Sequence, residues 1–324
     1  MSEKFTPAYI DEHLTLGADP EFLLLNKSGR SVRGDGIRGL CGGTNARFGV
    51  DGGGCAMELR PSPSTNPIQV VKSIELTLKS GLRNHPSTRQ YKWVGGGSCE
   101  QPIGGHIHFG THALRAPEYP KPGGHTNISV LARDLDLFLA LPVLAIEKKE
   151  EAIARRATGY GRLSDMRSQP WGCEYRTLGS WVTSPAVALA VLSLAKVVAC
   201  ESLAGQIAGA ERVGVPNEQF IRAMVAPAIT AKAWERIEKM ALFPKYKKDI
   251  ELIRELAAKG QTWHAGDLKA TWKAMTPKMV AVIKRTEAEA AEAIAKATKL
   301  SSIWTGVRPK LYTVRRQAVA EVTL

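Results

Sequence analysis

Long apolar runs, paired cysteines and nucleotide-binding loops are all scarce in this sequence. No stretch approaches the roughly 20 apolar residues that a membrane span needs. The N-terminus, Met1-Ser2-Glu3-Lys4, lacks the apolar core of a signal peptide. A cytoplasmic protein with no membrane partner is therefore expected. Five cysteines stand among 324 residues: Cys41, Cys55, Cys99, Cys173 and Cys200. Their odd number and the absence of any CxxC pair argue against a disulfide framework and a thiolate zinc site, and for reduced thiols. Neither GxxxxGK[ST] nor a kinase-type glycine motif occurs, so a bound nucleotide would have to lie on an open surface. Hydrophobic residues are 44% and charged residues 23% of the chain, which excludes a disordered or fibrous protein.

Negative charge is in deficit, and the deficit is uneven. The 44 basic and 31 acidic residues give a net charge of +13. Residues 1–224 hold 25 basic against 21 acidic residues, whereas residues 225–324 hold 19 against 10. The basic C-terminal part suits an acidic polymer or nucleic acid as partner, and equally suits a solvated face of Lys-rich helices.

Three textures follow one another. Residues 14–110 are strand-like and punctuated by glycine, with an apolar periodicity that predicts a helix from Pro67 to Gly81 and a short strand over Tyr91–Val94. Residues 127–157 are helical in pattern, with Pro142 expected to kink them. Loop and strand return over 158–183. From Pro185 onward the chain is Ala-rich and helical, with Ala186–Ala204 expected to be buried and Pro277–Leu300 expected to form one long surface helix. The expected organisation is a core over residues 1–185 and a helical, basic region over 186–324.

Polar residues recur two apart within the strand-like segments. Asp19 and Glu21, Glu58 and Arg60, His106 and His108, and Glu174 and Arg176 form four such pairs. Residues two apart on a strand share a face. Each pair alone has an ordinary reading: a solvated turn for Asp19-Pro20-Glu21, a surface ion pair for Glu58 and Arg60. Together they describe a sheet with one apolar face and one face of carboxylates, imidazoles and guanidiniums. Burying those groups without partners would be costly, and a cleft holding a metal and an anion supplies partners. Acidic oxygens with an imidazole suit magnesium better than zinc. Arginines in the same region, Arg60, Arg155, Arg156, Arg162, Arg167 and Arg176, suit phosphate. Acid, metal and arginine together form the constellation of phosphoryl transfer.

Three strings then carry a resemblance: Gly17-Ala18-Asp19-Pro20-Glu21-Phe22, Met57-Glu58-Leu59-Arg60-Pro61 and Gly104-Gly105-His106-Ile107-His108-Phe109-Gly110. The later block over Leu135–Pro142, Arg155-Arg156, Tyr160-Gly161 and Gly172–Thr177 continues it. In order and spacing these resemble the phage-type carboxylate–amine ligases (amidoligases, type 2), relatives of glutamine synthetase and glutamate–cysteine ligase. The resemblance covers roughly residues 14–185. It implies an α+β fold: an antiparallel sheet curved into a half-barrel, backed by helices, with an all-α C-terminal region. It also implies ATP and Mg2+ as cofactors and an amide bond made through an acyl phosphate. The implied metal ligands are Glu21, Glu58, Asp19 and His108, with His106 the alternative imidazole and Asp51 a further acid. Nucleotide contacts are implied for Arg176, Arg167, Arg156 and His106. Catalytic roles are implied for Arg176, Arg60, Arg167 and Glu174, the last holding a metal or the incoming ammonium group. The partners implied are an amine and a carboxylate substrate, and the setting is the host cytoplasm if the chain is phage-encoded.

Two other readings stand beside this one. A zinc hydrolase would use the His-x-His strand, although only His112, His125 and His264 follow as further imidazoles. A non-enzymatic phage structural or nucleic-acid-binding protein would use the basic C-terminal region, and would leave the paired strand residues unexplained.

Overall fold

A computed structural model describes residues 6–37, 39–40, 46–98, 101–110, 125–207, 227–263 and 266–273, with backbone alone at 125–127 and 227. Cys41, Cys99, His112, His264 and the helix expected over Pro277–Leu300 lie outside the described residues. The architecture is α+β, an open antiparallel sheet with helices behind it.

The sheet is built around one long strand. β1 (Thr15–Leu25) pairs with β6 (Gly105–Gly110) through Thr15–Pro20, then with β4 (Met57–Leu59) at Glu21 and Phe22, and with β5 (Lys92–Val94) beyond them. Pro20 therefore sits inside a strand, at the point where β1 changes partners, rather than in a turn. β3 (Phe48–Val50) borders β4, β2 (Ser31–Val32) borders the end of β1, and β8 (Gly172–Tyr175) and β7 (Met166–Gln169) continue outward from β6. Phe22, Met57, Leu59, Ile107, Phe109, Cys173 and Tyr175 are all buried on the apolar side.

Helices cover that side. α1 (Pro7–His13) precedes the sheet, and α2 (Pro67–Asn84) starts where Asn66 accepts a hydrogen bond from the Ile68 N–H, with Pro67 in the first turn. α3 (His125–Leu135) runs into a π-helical turn over Asp136–Ala140 and then α4 (Leu141–Leu144). The irregularity expected at Pro142 takes this form: the Leu141 N–H bonds back to the Asp136 carbonyl in the turn just before the proline. α5 (Lys149–Ala157) follows.

α6 (Pro185–Leu203) begins at Ser184, whose hydroxyl accepts from the Val187 N–H. By length and composition it is apolar enough to cross a membrane, which the sequence reading did not anticipate. It is apolar all round because protein surrounds it: it packs on α1, α2, α3 and α8 (Phe243–Ala258), and is almost wholly buried. Its one lysine, Lys196, donates to the carbonyls of Asp11 (2.7 Å) and Leu14 (2.5 Å), fixing the approach to β1. Asp11 accepts in turn from Tyr246 on α8 at 2.8 Å. α7 (Pro227–Ile237) and α9 (Leu268–Thr271) complete the described helices. Next to α9, the Trp272 indole N–H donates to the Val182 carbonyl at 2.8 Å, tying this segment to the core.

Candidate active site

Strand register gathers the paired residues. Asp19 stands opposite His106, and Gly17 opposite His108. His108 stands opposite Glu174, and Glu174 opposite Arg167. Glu21 stands opposite Glu58. Cross-strand neighbours point to the same face, so the register alone brings the polar pairs into one patch.

The patch has two parts. In the first, His106 Nδ1 lies 3.0 Å from Asp19 Oδ1 and 3.5 Å from Glu174 Oε1, and His108 Nε2 lies 3.2 Å from Asp19 Oδ1. These contacts are close, yet Asp19 Oδ1, His106 Nδ1 and His108 Nε2 are all buried without a hydrogen-bond partner. Buried polar atoms are rarely left in that state. Donor atoms of Asp19, His108 and Glu174 all fall within 4.8 Å of one another. The unpartnered Asp19 and His108 atoms, converging with a Glu174 oxygen, fit a cation.

The second part holds Glu21 and Glu58. Glu21 Oε2 accepts from the Gly104 N–H at 2.7 Å and Oε1 accepts from the Tyr160 hydroxyl at 3.0 Å. Glu58 is ion-paired with Arg60, whose guanidinium also donates to the Ala46 and Val50 carbonyls. Burial, then the charge of Asp19, pushes the Glu58 carboxyl up to about 9 against the pull of Arg60. Burial likewise raises Glu21, with the charge of Asp51 adding to the effect. Burial works to raise Asp19 too, but His106 and then His108 outweigh it and hold that carboxyl well below its ordinary range. The acids thus sit at opposite extremes for different reasons: burial and then neighbouring acid charge raise Glu58 and Glu21, whereas the two histidines hold Asp19 low.

Guanidiniums flank Glu174. Arg167 Nη1 donates to Glu174 Oε2 at 3.4 Å, beside Gln169 at 3.0 Å, while Arg176 Nε lies 3.1 Å from Glu174 Oε1. The side chain of Arg167 is about half exposed, at 54%. Arg156 differs: it is buried, and donates to the carbonyls of Ala152 and Thr177. Its place is inside the fold with Arg155, not on the open face.

Tyr160, Gln169 and Trp171 are the residues that reasoning from paired spacing passed over. Tyr160 lies in a loop and reaches both His106 (2.5 Å) and Glu21 (3.0 Å). Arg155 sits over its ring at 4.5 Å and donates to the carbonyls of Arg176 and Thr177. Two glycines make room. A Cβ on Gly104 would stand 2.5 Å from His106 Nε2, and one on Gly161, where φ is +68°, would stand 1.8 Å from Arg155 Nη1. Trp171 packs on the His108 ring at 4.9 Å and, with Pro61, Pro63 and Arg60, walls a cavity of about 410 Å³ that adjoins Asp19 and His108.

A sequence model of the family described as phage phiEco32-like COOH.NH2 ligase, type 2, matches residues 16–274. Among solved structures, a bifunctional glutathione synthetase from Pasteurella multocida is similar at 10% identity and a TM-score of 0.39, over 82% of this chain and 51% of that one. The chain thus spans about half the length of that protein. A novel glutamine synthase homolog is similar at 13% identity and a TM-score of 0.36, over 76% of this chain and 70% of that one. No curated protein matches. The family match runs from β1 past α9, through every strand that contributes to the patch, and on that ground the chain belongs to the phage phiEco32-like COOH.NH2 ligases of type 2.

Proposed function

We propose that this protein is an ATP- and Mg2+-dependent carboxylate–amine ligase that forms an amide through an acyl phosphate. The observation that carries the reading is the single polar face on which buried, unpartnered carboxylate and imidazole donors lie beside Arg167 and Arg176. Asp19, His108 and Glu174 would hold one cation, with His106 beside Asp19, and Glu21 with Glu58 would hold a neighbouring one. When bound, the cations neutralise phosphate charge and ATP supplies the phosphoryl group.

The chain's own groups position and stabilise. Arg167 and Arg176 face the charge that builds on the transferred phosphoryl. A carboxylate oxygen of the substrate would take the phosphoryl group that ATP supplies, with ADP as the leaving group. The amine nitrogen, having given its ammonium proton to a carboxylate of the acidic strip, would then bond to the acyl carbon as the acyl carbon–oxygen bond breaks, phosphate leaving with that oxygen and the second N–H proton passing to solvent. The acidic strip of Asp19, Glu21 and Glu58 attracts an ammonium group to the same place. No covalent nucleophile is needed, so catalysis rests on orientation and charge. A phage-encoded chain working in the host cytoplasm is the setting this reading implies. The basic region after residue 225 would grip an acidic or polymeric substrate.

The test is ADP release from ATP and Mg2+ in the presence of mixed amino acids and peptides. Native protein should release ADP only with the mixture, and Glu21→Gln and Arg176→Ala should each lose at least about tenfold in rate. No ADP and no ATP binding by native protein would refute the ligase reading, and amide hydrolysis in its place would favour a metal hydrolase.

A further inference from the structure

Beyond Asp19 and His108 the polar face of the sheet runs into the cavity of about 410 Å³. Its walls come from three places in the chain. Trp171 lies in the two-residue turn between β7 and β8, where Gln169 pairs with Gly172, and its ring packs on that of His108 at 4.9 Å. Pro61 and Pro63 follow β4, and their segment is pinned to β1 by two backbone hydrogen bonds between Leu16 and Ser64, of 2.8 and 2.9 Å. Gly17 stands opposite His108 and leaves room there. A Cβ on it would meet the His108 Cβ at 3.3 Å and the Pro63 Cβ at 3.6 Å.

The result is a slot with an indole and two proline rings in its walls and polar groups at one end. Arg60 at that end is already ion-paired with Glu58 and donates to the Ala46 and Val50 carbonyls. Flat apolar walls gain by burying a flat apolar group, and polar groups confined to one end fix which way it enters. At about 30 Å³ for each water-sized group, the cavity takes about a dozen of them, the bulk of one aromatic amino-acid unit.

We propose that this cavity receives the side chain of the amine substrate, and that the substrate is a small amine carrying an aromatic or similarly bulky apolar group, with Trp171 setting that preference. The proposal rests on the ligase reading in one respect: the acidic strip at the inner end of the slot takes the amine. Trp171 and Pro63 then grip the group attached to it.

The test measures binding by calorimetry to the full chain in Mg2+, with L-phenylalaninamide and glycinamide as amines and 3-phenylpropionate as the carboxylate control. Native protein should bind L-phenylalaninamide at least about tenfold more tightly than glycinamide, and more tightly than 3-phenylpropionate. Trp171→Ala should remove most of the difference between the two amines. Gly17→Ala, which narrows the slot from the β1 side and leaves the β7–β8 turn intact, should weaken L-phenylalaninamide and spare glycinamide. Equal affinity for the two amines in native protein, equal losses for both in each variant, or tighter binding of 3-phenylpropionate would overturn the proposal. None of these readouts involves ATP. Selective binding of L-phenylalaninamide by a protein that never releases ADP would sink the ligase reading and leave the slot assigned. ADP release driven equally by glycinamide and L-phenylalaninamide, with N-acetyl amino acids as the carboxylates, would do the reverse.

Discussion

Gly161 and Gly159 make a paired experiment on how the Tyr160 loop is held. Both glycines have positive φ, +68° and +85° respectively, so alanine at either position carries the same left-handed backbone cost. That cost is about 1–2 kcal/mol. The surroundings differ. A Cβ at Gly159 would meet the exposed Arg162 guanidinium at 3.1 Å, and that flexible group can move aside. A Cβ at Gly161 would stand 1.8 Å from Arg155 Nη1, inside a buried guanidinium that donates to the Thr177 carbonyl at 2.7 Å and to the Arg176 carbonyl at 2.8 Å. Displacing Arg155 breaks hydrogen bonds worth about 1.5–3 kcal/mol each. Gly159→Ala should therefore cost about 1 kcal/mol and Gly161→Ala about 4 kcal/mol or more. Urea unfolding, with equal m-values for the three proteins, measures both. Equal losses within about 0.5 kcal/mol would refute the claim that Arg155 fixes this loop.

Two further expectations concern buried charge. Glu58 has its carboxyl raised from 4.5 to about 9, so the folded, metal-free chain keeps that proton where the unfolded chain has lost it. Its contribution to stability is complete below 4.5 and declines up to about 9, by at most about 1.4 kcal/mol per pH unit. The raised Glu21 acts in the same direction, whereas the lowered Asp19 costs stability only as pH falls below 3.8. A cation must expel the Glu58 proton, so Mg2+ affinity measured by calorimetry should rise by up to about tenfold per pH unit between pH 6 and 8.5; a flat profile would contradict the assignment. Lys196→Met leaves the Asp11 and Leu14 carbonyls unpaired inside the core and should cost about 2–4 kcal/mol in urea unfolding, and a loss below 0.5 kcal/mol would show that these contacts do not hold α1.

The i, i+2 pairs were readable because a strand repeats every two residues, and that period alone puts Asp19 with Glu21 and His106 with His108. Register was not readable. Nothing in the spacing says that Asp19 faces His106 while Glu21 faces Glu58, and that difference divides the acids into two groups. The question of which histidine faces the acids dissolves once β1, β6 and β8 are side by side, since both do. Tyr160 was visible only inside a resembling string, because a loop has no period and its position is set by Arg155 gripping carbonyls 21 and 22 residues away. For the same reason Arg156 reads as one more phosphate-binding arginine in sequence, and lies buried against Thr177 in the fold. The apolar character of α6 was plain, but its embedding among four helices depends on long-range packing that local pattern does not encode.

The central claim is that a substrate carboxylate is activated by phosphoryl transfer on this face. Its most direct measurement repeats the ADP-release assay with amino acids and peptides carrying 18O in their carboxylates, and reads the released phosphate by mass spectrometry. Passage through an acyl phosphate moves one labelled oxygen into each phosphate formed, and the account predicts that label in native protein and its loss with Arg176→Ala. Phosphate released at the same rate as ADP but carrying oxygen from water alone would contradict it.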